Sequence, residues 1–102
     1  MRREIILAPE AAADFRRLRA FERTIVRDAM EKHLRHEPTK TSRSRIKRLK
    51  GVQHPQYRLR GEDIRVFYDV TDAAVEILAV VPKTGADAWL KRCATMAPEE
   101  KP

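Results

Sequence analysis

One cysteine, Cys93, cannot form an internal disulfide, and the paired Cys/His spacings of a zinc site are missing. A lone thiol suits a reducing, cytoplasmic setting, which is the expectation here. Long apolar runs are also missing. The opening MRREIILAPE has only a short one before Pro9 and Glu10, so no signal peptide is expected there. Nothing approaches the roughly 20 apolar residues of a membrane span. Internal repeats and low-complexity segments are absent too. Acidic residues are outnumbered, 15 Asp+Glu against 22 Lys+Arg. With membranes set aside, the partner classes that remain are nucleic acid and acidic protein.

What is present fits one small domain of 102 residues, with 42% hydrophobic and 36% charged residues. The formal net charge is +7 and the pI about 10.1, a balance that favours a polyanionic partner. A well-solvated basic surface gives the same totals, so charge alone does not decide.

The pattern along the chain predicts a strand at 3–8, then helix from Pro9 to about residue 36. Pro9 suits a first helical turn, and Glu10 favours its positive end. A break near Arg19–Phe21 divides the stretch into two antiparallel helices. Glu37-Pro38 ends the second. Residues 39–50, TKTSRSRIKRLK, hold six Lys/Arg and no acid. They read as a loop entering a strand at about 45–50. Gly51 and Pro55 mark a connection. The runs 56–60, 63–70 and 75–81 are rich in β-branched and aromatic residues and separated by turn signals. A helix at 84–93 closes the domain, with Ala86, Trp89, Leu90 and Cys93 on one side. Residues 1–93 are expected to form one domain, and 94–102 a disordered tail. The class is α+β: an N-terminal strand, two antiparallel helices, a mainly antiparallel sheet of about four further strands, and a C-terminal helix.

The stretch RLRGEDIR crowds three arginines round a turn. A two-residue loop at Gly61-Glu62 pairs Leu59 with Ile64, Arg58 with Arg65 and Tyr57 with Val66. The apolar side chains then share one face and the arginines the other. A three-residue loop mixes the faces, so pattern selects the shorter loop. In the next hairpin a loop at Thr71–Ala74 pairs Val70 with Val75, Tyr68 with Ile77 and Val66 with Ala79. The second face then pairs Phe67 with Leu78 and Arg65 with Val80. Extending the register puts Lys83 beside the first turn. Arg58, Arg60, Arg65 and Lys83 thus form a strand-borne basic cluster suited to a phosphodiester, because guanidinium forks match phosphate oxygens. Divergence of these side chains into solvent is the alternative. The basic run favours anion binding, and Arg43, Arg45, Lys47, Arg48 and Lys50, with His54 just before the YRLR strand, are the candidate RNA- and phosphate-binding residues.

Four stretches, RLKG at 48–51, YRLR at 57–60, DIRVFYDV at 63–70 and VEILAVVPK at 75–83, together with the element order, resemble the RelE/ParE superfamily of type II toxin–antitoxin toxins. The resemblance spans residue 3 to about 92. It implies a compact toxin, neutralised by an acidic antitoxin that wraps it, with DNA met only indirectly through the antitoxin complex. RelE-like members cut messenger RNA in the ribosomal A site, which implies contacts to 16S rRNA. ParE-like members poison DNA gyrase and are not nucleases. Arg58 and Arg60 match the basic pair of the nucleases, and Arg65 their arginine at the scissile phosphate. Where many of those nucleases carry an arginine after the last strand and a tyrosine in the terminal helix, this chain has Lys83-Thr84 and Trp89 or Leu90.

The expected reaction is metal- and cofactor-independent RNA cleavage by the 2′-hydroxyl. It needs a proton acceptor, a proton donor and positive charge for the phosphorane. Arg58, Arg60, Arg65 and Lys83 supply charge, and a lysine among arginines is a candidate acid or base. His33 and His36 suit the end of the second helix. Tyr57 and Tyr68 belong to the apolar face, Trp89 is a core anchor, and Cys93 a small packing residue. A ParE-like gyrase inhibitor and an RNA-binding module without activity are the competing readings.

Overall fold

The computed structural model describes residues 2–96. Strand β1 (Glu4–Leu7) leads into helices α1 (Pro9–Arg17) and α2 (Ala20–Leu34). Then come β2 (Ile46–Arg48), β3 (Val52–His54), β4 (Tyr57–Gly61), β5 (Ile64–Val70), β6 (Ala74–Pro82), a 3₁₀ turn at Lys83–Gly85, α3 (Ala86–Cys93) and β7 (Thr95–Met96). The α+β class and the order of the main elements are as expected.

Pro9 opens α1, and Glu10 lies in its first turn. The break falls at Leu18-Arg19, both extended. Glu22 secures the restart by accepting the Arg19 backbone N–H at 2.9 Å. The Arg23 guanidinium donates to the Leu18 carbonyl freed at the break.

The main sheet has five strands in the order β1-β6-β5-β4-β2. β1 runs parallel to β6, and the other pairs are antiparallel. One face carries Ile46, Leu59, Ile64, Val66, Tyr68, Val75 and Ile77, packed with Ala11 and Leu18 from the α1 region and Val26, Met30 and Leu34 of α2. On the opposite face Phe67 and Ala79 pack with Ala86 and Trp89 of α3. Helices therefore cover both faces, but α3 lies only over the β5–β6 side.

Both hairpin registers differ in detail from the expectation. In the first, Gly61 pairs with Ile64, Arg60 with Arg65, Leu59 with Val66 and Arg58 with Phe67. The loop is Glu62-Asp63, and Glu62 takes the positive φ of 56°. Gly61 is a buried strand residue whose Cβ position would lie 3.9 Å from the Ala29 Cβ of α2. Gly61 stays in the sheet, opposite Ile64, and the turn falls one residue later than expected. A shift of two in the pairing sum leaves the faces unchanged. Arg58 thus faces Phe67 instead of Arg65.

The second hairpin starts as expected, with Val70 opposite Val75 and Tyr68 opposite Ile77. A bulge then intervenes, and Phe67 faces Ala79, Val66 faces Val80 and Arg65 faces Val81. Val80 therefore joins the helix-packed core and Ala79 the α3 side. Asp14 of α1 holds the irregular strand by accepting the Val80 N–H at 3.1 Å.

A two-stranded sheet of β3 and β7 was not expected. Thr95-Met96 belong to it, so order extends past Cys93. The remainder of the tail, 97–102, lies outside the described residues. Cys93 is exposed instead of packed.

Candidate nucleic-acid interface

The site occupies the part of the second sheet face that α3 leaves open. Two cross-strand rows define it. Lys47 of β2 faces Arg58 of β4, which faces Phe67 of β5. In the next row Arg60 faces Arg65. The Arg60 N–H bonds to the Arg45 carbonyl at 2.9 Å. Alternation along each strand puts Lys47, Arg58, Arg60 and Arg65 on one surface.

Their environments differ. Arg65 is 7% exposed, and its Nη1 donates to the carbonyls of Glu62 at 2.8 Å and Ile64 at 3.2 Å. It braces the turn from below. Burial holds its pKa below the ordinary arginine value, Arg58 and Arg60 push the same way, and Asp63 opposes them. The Nε of Arg58 is buried without a hydrogen-bond partner. Arg60 is exposed. These guanidiniums have no carboxylate in ion-pair contact among the described residues. Guanidiniums so placed are chemically suited to an anion.

Lys83 lies beside the turn as expected. Its N–H bonds to the Asp63 carbonyl at 2.7 Å, and its side chain is exposed.

The basic run is not gathered into one patch. Lys47 shares the face of Arg58. Arg48 points to the other side, with its guanidinium 5.2 Å from the Tyr57 ring centroid and donating to the Gln56 carbonyl at 2.7 Å. Arg45 donates to the Arg60 carbonyl at 3.2 Å and lines a cavity of about 440 Å³ with Phe21 and Ile25 of α2. Arg43 and Lys50 are exposed.

His54 is held by Asp69, Nδ1 to Oδ2 at 2.7 Å. The other Asp69 oxygen accepts the Gln56 N–H at 2.7 Å. Sequence reasoning missed this pair. The available signal was Asp69 itself, an acid within an otherwise apolar run, because a shielded carboxylate needs donors.

The aromatic assignments stand. Tyr68 is fully buried, stacks on Tyr57 with centroids 5.5 Å apart, and donates to the Pro38 carbonyl at 2.6 Å. Burial drives its pKa far up. Trp89 stacks on Phe67 at 4.9 Å and 9°, and only 5% of it is exposed.

No family model matches the chain, and neither does any of the curated proteins compared with it. Solved structures do. A chain of the RelB-RelE antitoxin-toxin complex from Methanococcus jannaschii superposes with a TM-score of 0.63 at 17% identity, covering 82% of this chain and 96% of that one. The YoeB dimer from Staphylococcus aureus gives 0.61 at 17% identity, over 79% of this chain and 97% of that one. The archaeal RelE-RelB complex from Pyrococcus horikoshii OT3 gives 0.60 at 24% identity, over 81% and 97%. At these identities the likeness speaks for architecture, and the architecture of this chain is the RelE-like fold.

Proposed function

We propose that the chain is the toxin of a type II toxin–antitoxin pair and acts as a metal-independent, ribosome-dependent messenger RNA endoribonuclease. The observation that carries this is the uncompensated Arg58–Arg60–Arg65 cluster on the open sheet face, with the Arg58 Nε buried and unpartnered. The fold supports it, since two of the similar structures are antitoxin–toxin complexes. An acidic antitoxin is the complementary protein partner for a chain of net charge +7.

In this reading Arg58 holds the scissile phosphate, Arg60 binds a phosphate beside it, and Lys47 extends their reach. Arg65 fixes the turn and adds charge from beneath. Together they stabilise the dianionic phosphorane. Lys83 stands at the rim, where an ammonium can give a proton to the departing 5′ oxygen. Exposed Arg43 and Lys50 extend the positive surface toward ribosomal RNA.

A ParE-like gyrase inhibitor is the second reading. One observation favours it: Trp89 is buried against Phe67, so α3 offers no aromatic side chain to RNA at that position.

Induced expression followed by mapping of transcript ends on ribosomes, beside an assay of gyrase–DNA breaks, separates the two. Cut messages with unaltered supercoiling are expected. Intact messages with trapped gyrase–DNA breaks would overturn the nuclease reading.

A further inference from the structure

The basic cluster supplies charge but has no evident proton acceptor. We infer that His54 is that acceptor, positioned by Asp69; the inference rests on the nuclease reading above.

Geometry carries the argument. His54 Nδ1 meets Asp69 Oδ2 at 2.7 Å. Asp69 is fixed in turn by the Gln56 N–H at 2.7 Å, while the Gln56 side-chain oxygen accepts the Val70 N–H at 2.9 Å. This carboxylate orients the imidazole and selects the tautomer with its proton on Nδ1. Nε2 is left as the lone-pair nitrogen. It has no hydrogen-bond partner among the described residues, and the His54 side chain is 49% exposed.

Location joins the pair to the cluster. The β4–β5 register places Tyr57 opposite Tyr68 and Arg58 opposite Phe67. Asp69 is two residues beyond Phe67 on the same face, about 7 Å along the strand. It is therefore the diagonal neighbour of Arg58, at a spacing of about 7–8 Å. A phosphate held by Arg58 has its adjoining ribose within a nucleotide's length of His54. Arg65 is two further residues away along β5 and more deeply buried, so the scissile phosphate belongs at Arg58.

The step balances as follows. The 2′-hydroxyl proton passes to His54 Nε2 as the 2′ oxygen bonds to phosphorus. The bond from phosphorus to the 5′ oxygen breaks, and that oxygen takes a proton from the Lys83 ammonium, which regains one from solvent. The imidazolium returns its proton to solvent. The products are a 2′,3′-cyclic phosphate and a 5′-hydroxyl, with no oxidant or further reactant. Asp69 touches none of the reacting atoms and is a positioning residue.

The test uses the full chain with ribosomes programmed by a defined message, in single turnover, alongside His54→Ala, His54→Gln and Asp69→Asn. Binding is measured separately on a message carrying 2′-deoxyribose at the cut. His54→Ala is expected to cut about 10²–10⁴-fold more slowly. Its binding to the deoxy message and its melting temperature should match wild type, and added imidazole should restore part of the rate. His54→Gln, which can still make a strap, should be as slow as His54→Ala, and Asp69→Asn should lower the rate with binding unchanged. If both His54 variants cut as fast as wild type, the assignment of His54 is wrong while the nuclease reading stands. A wild-type chain that cuts no message overturns both.

Discussion

Arg60 and Arg65 lie directly opposite each other across the β4–β5 ladder, the position where like charges cost most. The fold tolerates them by sending them different ways. Arg65 turns in and gives Nη1 to the Glu62 and Ile64 carbonyls, while Arg60 stays exposed. Arg58, next along the same face, keeps a buried Nε with no acceptor. This arrangement costs stability and leaves unpaired positive charge on the open face, the exchange expected where function competes with folding.

That exchange predicts opposite effects of one substitution. Arg58→Met removes a buried unsatisfied donor, whose cost is about 1–3 kcal/mol, and keeps an unbranched stem over Phe67. Stability should rise by about 1 kcal/mol in urea unfolding. Growth arrest on induction should disappear. A variant that is no more stable and still fully toxic would show that Arg58 is an ordinary surface side chain.

Tyr68 tests the other face. Its hydroxyl is buried and bonded to the Pro38 carbonyl at 2.6 Å, tying the loop after α2 to the middle of the sheet. Tyr68→Phe leaves that carbonyl without its partner and should lower stability by about 1–2 kcal/mol. Toxicity should be unchanged wherever the variant is folded, because Tyr68 lies on the face opposite the arginines. Loss of toxicity with unchanged unfolding would place Tyr68 in the site and contradict the face assignment.

The faces were legible in the sequence because alternation with period two survives any even shift of register. Leu59 and Ile64 therefore fall in the core whether the turn is Gly61-Glu62 or Glu62-Asp63. The exact partners were not legible. Both Gly61-Glu62 and Glu62-Asp63 satisfy the alternation, so pattern alone does not choose between the two turns, and the structure takes the second. The bulge in β6 hinges on Asp14 of α1 capping the Val80 N–H, which no local pattern announces. The site was legible to the same extent. Arg58, Arg60 and Arg65 follow from alternation, but pairing of β3 with β7 and of His54 with Asp69 is long-range. Arg48 and Lys47 show the converse: adjacent in a basic run, they are sent to opposite faces as soon as β2 joins the sheet.

His33 of α2 gives a pH prediction with a defined sign. Burial lowers its pKa below the ordinary 6.5, and the charges of Arg45 and Lys32 act the same way. The folded state thus binds the proton less readily than the unfolded chain. Stability from this group is complete above pH 6.5 and is lost as pH falls below it. His33→Gln should flatten the loss of stability as pH falls below about 6.5, measured as the urea midpoint at each pH. Parallel wild-type and variant curves would mean that His33 titrates alike in both states.

Salt dependence separates the two sides of the basic run. With Arg65 buried, the other three cations of this face, Lys47, Arg58 and Arg60, release counterions from a single strand with a log–log slope of about −2. Binding of a short unstructured RNA, followed by anisotropy across a salt series, measures it. Lys47→Gln should reduce the magnitude of the slope by about 0.7, since it faces Arg58 directly. Arg48→Gln should leave it unchanged, because that guanidinium lies over Tyr57 on the far side of the sheet. The comparison holds the charge change and the sequence neighbourhood constant and varies only the face. Equal effects of the two variants would mean that RNA tracks the overall charge of the loop, and the open face beside α3 would then have no special claim as the interface.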